Sequence, residues 1–443
     1  MPVSASSLAS EGYPDTGAAG AGSGTRRAPP RSLIAGALGN VLEWYDFAAY
    51  GFLATIFAKN FFPESDAFVG LIAAFGVFAA SFLMRPVGGV VFGHIGDRYG
   101  RRRALLISAA LMTCSTVAIG LLPTYALAGA AAPVLLLMLR LLQGLSIGGE
   151  YTTSAIYLAE NAKPERRGLI TSFAGCGASA GTLLGSGAAA VTAMLMSSDD
   201  LIAWGWRIPF LAGVLLGGFT LYLRRASIGE DEEAPARDAG EGLPLVRALR
   251  TDGANMLRAL LMNLTLGVSF YMIFVYLTTY MQQVDGLTDR LSLQINTISM
   301  VTVLFLAPMF GGLSDRIGRK WMIASGLVGM VLLSWPLFRL LDSGTPEGAL
   351  LGQIGFAVLI AMYAGPMPCA LVEMFRRETR CSALSLSYNI SLGLAGGTAP
   401  MVAVYLVTRE HWDMGPAWYL IAVSVLSLLA TLTMTERRGA PLG

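Results

Sequence analysis

Apolar residues fall in twelve long blocks, at 33–58, 67–92, 104–122, 132–158, 168–195, 205–224, 255–282, 291–312, 321–341, 348–373, 381–408 and 415–434. Each is long enough to cross hydrocarbon, which takes about 20 helical residues at ~1.5 Å rise. Strand-like alternation is absent, and an unpaired backbone amide in lipid costs several kcal/mol, so the blocks are predicted to be membrane-spanning helices. Residues 1–32, rich in Ala, Gly, Ser and Pro without periodicity, are predicted to form a disordered tail. The tail lacks the basic-then-apolar order of a secretory signal, so its removal is not expected. Two six-helix bundles follow, at 33–224 and 255–434, joined by a charged linker at 225–254 and closed by a short tail at 435–443.

Composition turns spanning from an option into a requirement. Of 443 residues, 54% are hydrophobic and 14% charged, and the mean hydropathy is +0.59. A soluble domain of this size needs a charged surface that 31 basic and 29 acidic residues cannot supply. With both termini in the cytoplasm, 24 of the 31 Lys and Arg gather on that side. Lys59, Arg290, Arg339 and Arg409 fall outside, and Arg85, Arg140 and Arg207 lie within or at the edge of spans. That asymmetry is the one expected of a multi-pass protein of the cytoplasmic membrane. The net charge of +2 and the scattered basic residues imply no nucleic-acid partner. Cys114, Cys176, Cys369 and Cys381 show no metal-ligand spacing and read as small core residues.

An internal repeat lays Gly93 to Arg102 over Gly311 to Lys320, an offset of 218 with five of ten positions identical. A second echo sets Glu160 and Arg167 against Glu373 and Arg380, an offset of 213. Two readings of the Gly-x-x-x-Asp-Arg-x-Gly-Arg loops stand: a tight turn with positive-inside anchors, or a gate latch. In the latch, Asp97 and Asp315 would meet a helix N-terminus or an arginine in one conformation and leave it in another.

No lysine here follows a glycine, which excludes a Gly-x-x-x-x-Gly-Lys phosphate loop, and no ATPase subunit is implied. His94 and His411 fall at opposite membrane faces, leaving no histidine-based metal cluster or triad, so an enzyme reading has little support. What stands out is ionisable residues inside the bilayer, each costing about 3 kcal/mol or more. The first span carries Asn40, Glu43, Phe47 and Tyr50 on one stripe, with Asp46 adjoining. The fourth carries Arg140, Gln143, Gly144, Ile147, Glu150, Tyr151 and Ser154, and the second Arg85 beside Pro86. These charges either neutralise one another and lock helices, or surround a polar cavity. As a set they fit the cavity better, because small residues such as Gly177, Gly181 and Gly185 already serve static packing. Trp204, Trp206 and Tyr419 read first as interfacial anchors. Arg207, at an outer helix start, is either a surface charge or reaches into the cavity.

At these residues the sequence resembles the major facilitator superfamily. Over nearly its whole length it is similar to the metabolite:proton symporter family, which includes carriers for 2-oxoglutarate, citrate, shikimate and proline or betaine. The resemblance rests on Gly39-Asn-Val-Leu-Glu-Trp-Tyr-Asp46-Phe, Arg85-Pro-Val-Gly-Gly, the Gly93 to Arg102 loop, Arg140-Leu-Leu-Gln-Gly144, Gly148-Gly-Glu150-Tyr151 and Trp204-Gly-Trp-Arg207-Ile-Pro-Phe210. It implies an all-α membrane protein of twelve helices in two bundles, with a central site and alternating access. It also implies a cytoplasmic charge latch of Gly93, Asp97, Arg98, Gly100, Arg101, Glu160 and Arg167, with Asp315, Arg316, Arg319, Glu373 and Arg380 as counterparts. Arg140 falls in the motif that the superfamily associates with proton movement. The fifth span lacks the Gly-Pro pairing of proton-driven exporters, which favours uptake. The chain stops soon after Arg438 without the coiled coil of some osmosensing proline and betaine carriers, whereas Ser382-Ala-Leu-Ser-Leu-Ser-Tyr-Asn389-Ile-Ser looks more like those carriers than the citrate ones.

The expected function is a proton-driven symporter that imports a small carboxylate-bearing metabolite, with a zwitterionic osmolyte such as proline or glycine betaine as the alternative. Arg85 or Arg207 would hold the carboxylate, and Tyr50, Tyr271 and Asn389 would shape the pocket. Glu43, Asp46 and Glu150, with Arg140, are the candidate proton-coupling set, because burial raises a carboxyl pKa and a nearby arginine lowers it. The proton is the coupling ion expected, with sodium as the open alternative, and no cofactor is expected. A channel or a non-transporting sensor would be the rivals; the twofold repeat with paired loops favours a carrier.

Overall fold

A computed structural model describes residues 30–63, 67–99, 101–148, 150–227 and 244–442. Twelve rods follow one another. α1 is Pro30–Phe52 resumed at Ala54–Phe61, α2 is Ala67–Leu83 resumed at Arg85–Tyr99, α3 is Arg101–Gly120, and α4 is Ala131–Ser146 resumed at Glu150–Asn161. α5 is Arg167–Leu195, α6 is Arg207–Ser227, and α7 is Pro244–Tyr271 carried on by Leu277–Gln283. α8 is Asp289–Ile317, α9 is Arg319–Leu341, α10 is Pro346–Ala364 with Met367–Met374, α11 is Arg380–Ser391 with Ala399–Thr408, and α12 is Gly415–Leu432. Among the described residues nine helices are long and apolar enough to cross a membrane, or ten with the pair around Trp206, bent by 52°. The two further spans expected from sequence are α1, whose side chains up to residue 40 lie outside the described set, and α3, whose apolar stretch is the shorter Leu106–Gly120.

Several predicted boundaries shift, each for a local reason. α1 begins at Pro30, inside the stretch expected to be a tail, because proline suits a first helical turn; residues 1–29 lie outside the described set. Residues 244–254, expected in the linker, are the first turns of α7. They are held by Ala248, which is buried, by Asp252, which accepts from Thr379 Oγ1 at 2.6 Å, and by Arg247, which pairs with Glu378 at 2.9 Å. The paired glycine-aspartate stretches are helix ends instead of loops: α2 runs to Tyr99 and α8 to Ile317. The turn after α8 falls on Gly318, whose φ of 110° suits glycine. The last residues form a strap: Glu436 accepts from Lys320 N at 2.9 Å, Arg437 donates to Glu373 O at 3.1 Å, and Ala440 O accepts from Arg167 at 3.0 Å.

Helices meet at glycines, as lipid-embedded packing requires when no hydrophobic drive separates helix from tail. A Cβ on Gly181 would come 2.4 Å from Val41 O, and one on Gly185 2.5 Å from Tyr45 O, so α5 lies directly on the backbone of α1. Gly144 does the same for α4 on α2, where a Cβ would meet Ser81 O at 1.8 Å. These contacts hold the charged stripes of α1, α2 and α4 at one depth.

Gly144→Ala therefore forces α4 from α2 and is expected to destabilise the protein by about 1–3 kcal/mol, the usual penalty of overpacking. Gly187→Ala, where no atom lies within 4 Å, should be neutral. Thermal unfolding in detergent checks both.

Candidate functional site

Two ion pairs are buried side by side within the first half. Glu43 and Asp46, one turn apart on α1, face different partners: Glu43 Oε1 lies 2.8 Å from Arg85 Nη2 of α2, and Asp46 Oδ2 lies 2.7 Å from Arg140 Nη1 of α4. All four side chains are buried. Arg140 also donates to Gln143 Oε1 at 2.8 Å, and Gln143 donates to Thr116 of α3 at 3.0 Å. Phe47 stands between the two guanidinium groups, with Arg85 Cζ 5.1 Å and Arg140 Cζ 4.6 Å from its ring centre. Removing one member of such a pair strands its partner at a cost of about 3–5 kcal/mol.

One of these pairs lines a cavity. Glu43 and Arg85, with Ile147, Tyr151, Thr152, Tyr388 and Asn389, line a space of about 10 Å³, room for about one water and too small for a metabolite. Tyr388 and Asn389 come from α11 of the second half, so this cavity lies on the seam between halves. Asn389 Nδ2 donates across it to Gly148 O of α4 at 3.2 Å.

Both ends of the seam are shut. At the arginine-rich end the pairs from the second echo cross over: Arg167 reaches Glu373 at 2.9 Å, and Arg380 reaches Glu160 at 2.7 Å. Glu373 also receives Arg319 at 3.4 Å, and its Oε1 lies 3.4 Å from Cys369 Sγ. Asp315 pairs with Arg319 at 2.9 Å and caps the N-terminus of α5, accepting from Gly168 N at 2.8 Å and Leu169 N at 3.0 Å. The two crossed bridges differ in wetness, since Arg167 and Glu373 are 3% and 5% exposed whereas Glu160 is 40% exposed. At the other end, a Cβ on Gly51 of α1 would come 2.4 Å from Val275 of α7, and one on Gly397 of α11 would meet Phe82 of α2 at 2.9 Å.

The remaining predicted residues fall elsewhere. Tyr50 stays in the first half, donating to Ala74 O at 2.9 Å with its face 4.4 Å from Arg140 Cζ. Tyr271 stacks on Trp44 at 6.1 Å and meets Phe82 edge-on at 5.0 Å, beside the cavity but not on its lining. Arg207 is separate from the cavity: it donates to Leu122 O at 3.0 Å and lies over Trp206, a cation satisfying a carbonyl just past the end of α3. Arg316 is exposed, and its backbone carbonyl accepts from Arg438. The side chains of Gly93, Asp97, Arg98, Arg101 and Glu150, and the whole of Gly100, lie outside the described residues. Sequence reasoning left Thr116, Thr152 and Tyr388 unassigned, and it placed Tyr151 on the fourth-span stripe without giving it a role. Only the meeting of α4 with α11 marks the two tyrosines.

A charged cavity on the seam of two helical halves, closed at each end, defines a multi-pass membrane transporter. The chain belongs to the major facilitator superfamily, whose model matches residues 36–296; a sugar (and other) transporter model matches 242–437. It has the superfamily's twelve-helix fold. It is 37% identical over 427 residues to the glycine betaine/proline/ectoine/pipecolic acid transporter OusA of Dickeya dadantii, covering 93% of this chain and 84% of that one. With the proline/betaine transporter of Escherichia coli K12 it is 36% identical over 428 residues, with the same coverage. In shape it is similar to a D-xylose-proton symporter, at TM-score 0.76 and 21% identity over 93% of this chain and 99% of the other.

The dry bridge should hold the closed end more firmly than the wet one. Arg167→Gln is expected to raise the alkylation rate of buried Cys369 about tenfold or more, and Glu160→Gln to raise it less, because Glu160 is 40% exposed although its partner Arg380 is buried. Peptide-resolved mass spectrometry separates Cys369 from exposed Cys114 and Cys381.

In the turn between α7 and α8, burial and the neighbouring Asp342 carboxylate push Asp285 up to about 7. The folded chain then keeps a proton that the unfolded chain releases near pH ~3.9. Stability from this group is present below that pH and lost as pH rises through about 7. Asp285→Asn should flatten the decline, read by thermal unfolding across the window.

Proposed function

We propose that the protein is a proton-coupled symporter that takes up a zwitterionic osmolyte of the proline or glycine betaine class across the cytoplasmic membrane, with both termini inside. The observation that carries this reading is the Glu43–Arg85 pair at 2.8 Å on the cavity wall. The site offers one anion and one cation, the complement of a molecule that carries one of each. A carboxylate arriving on Arg85 releases Glu43 to face the substrate's positive nitrogen, so no charge is left stranded. A di- or tricarboxylate would bring several negative charges to an arginine already paired with a glutamate. The relatives named for proline and betaine support the same choice, so the organic-acid reading gives way to its alternative.

Coupling runs through α1. Glu43 and Asp46 share its stripe, and Phe47 separates their two arginines, so a substrate that draws Arg85 from Glu43 shifts the helix that holds Asp46 on Arg140. Asp46, freed from Arg140, becomes the carboxylate open to the coupled proton. Glu150 belongs to the same proposed proton set. The latch pairs alternate with closure at the opposite end, exposing the cavity to each side in turn.

In sealed proteoliposomes an outside-acid gradient of one pH unit should accumulate labelled proline or glycine betaine up to about tenfold for one coupled proton. Arg85→Ala should lose uptake while remaining in the membrane. Asp46→Asn should lose accumulation yet keep downhill exchange. Accumulation left intact in Glu43→Gln, Asp46→Asn and Glu150→Gln alike would remove proton coupling from these acids, and dissipation of an imposed solute gradient without uphill uptake would indicate a channel.

A further inference from the structure

Tyr151 of α4 and Tyr388 of α11 stack face to face across the cavity, ring centres 4.7 Å apart and planes 13° apart. They belong to opposite halves, so their stack exists only while the seam is closed. Both line the cavity with Glu43, Arg85 and Asn389. The neighbouring aromatic faces are already occupied: Arg85 lies 4.3 Å over Phe82 and 5.1 Å over Phe47, and Arg140 lies 4.4 Å over Tyr50. Among the described residues no cation covers Tyr151 or Tyr388. They are the cavity's uncommitted π-faces, each carrying the negative quadrupole that attracts positive charge.

We propose that Tyr151 and Tyr388 form the subsite for the substrate's positive nitrogen, and that they select a nitrogen clothed in carbon over a primary ammonium. The inference rests on the zwitterion reading above and specifies which part of that site takes which end of the molecule. With the carboxylate on Arg85, the cationic end falls toward the tyrosines. A quaternary nitrogen has no N–H to donate to Glu43 and spreads its charge over its methyl groups, so a ring face satisfies it better than a hydrogen-bond acceptor does. With the seam closed the two rings cover each other; as the halves part, the face that each gave its partner becomes available to the ligand.

The test uses the full chain in proteoliposomes and compares two competitors of labelled glycine betaine uptake: unlabelled betaine and tert-butylacetate, its carbon isostere with the same carboxylate and shape but no positive charge. Wild type should prefer betaine by about tenfold or more. Tyr388→Leu and Tyr151→Leu should each reduce that preference about three- to tenfold, whereas Tyr388→Phe, which keeps the ring face, should retain it. A role in packing alone would weaken both competitors equally and leave their ratio unchanged, and that result overturns the proposal. So does a wild-type ratio near one. Should a leucine variant fail to insert, Tyr388→Met, flexible enough to repack, carries the same expectation. Absence of any wild-type uptake of proline or betaine refutes the zwitterion reading itself, and it is read before any variant is made.

Discussion

A charge cannot remain alone in hydrocarbon, and the rest of this structure follows from that constraint. Among the described residues Glu43, Asp46, Arg85 and Arg140 are buried within the first bundle, and each is tolerated because a partner of opposite charge lies within 2.8 Å. The pairing fixes where α2 and α4 stand relative to α1, and the glycine contacts at Gly144, Gly181 and Gly185 let the backbones come close enough for it. A buried pair is poor evidence of net stability, since apolar residues of equal volume often do as well. Its value here is that it can be exchanged: a ligand that supplies the missing charges can take the place of either partner.

Much of this was legible in the sequence because membrane insertion leaves few solutions. Blocks of about 20 apolar residues must be helices, and Glu43 with Asp46 on one stripe had to face protein. The crossed echo of Glu160 and Arg167 with Glu373 and Arg380 was visible as a repeat, although not which acid meets which arginine. That assignment depends on a rotation of one half upon the other, which spacing along a chain does not encode. Arg207 was open for a related reason: a cation at a helix start is drawn equally by a cavity and by an orphan carbonyl, and the bend at Trp206 decided for Leu122. Tyr388 was hidden because a tyrosine in an apolar span is unremarkable until a ring from another helix lies on it.

The two bundles close unequally at the latch end. One crossed bridge is dry and shares its glutamate with Arg319, while the other opens to water through Glu160. Water weakens a Coulombic contact several-fold relative to the interior, so of the two crossed bridges the one at Glu373 resists opening more. A twofold repeat in sequence has become, among the described residues, two bridges of unequal burial.

The strap after α12 runs across that latch, with Arg437 on the backbone of Glu373 and the carbonyl of Ala440 on Arg167. A purification handle or fluorescent reporter grafted onto the strap at 436–440 would therefore hang from the gate itself. Assays on such fusions would be measuring an altered machine.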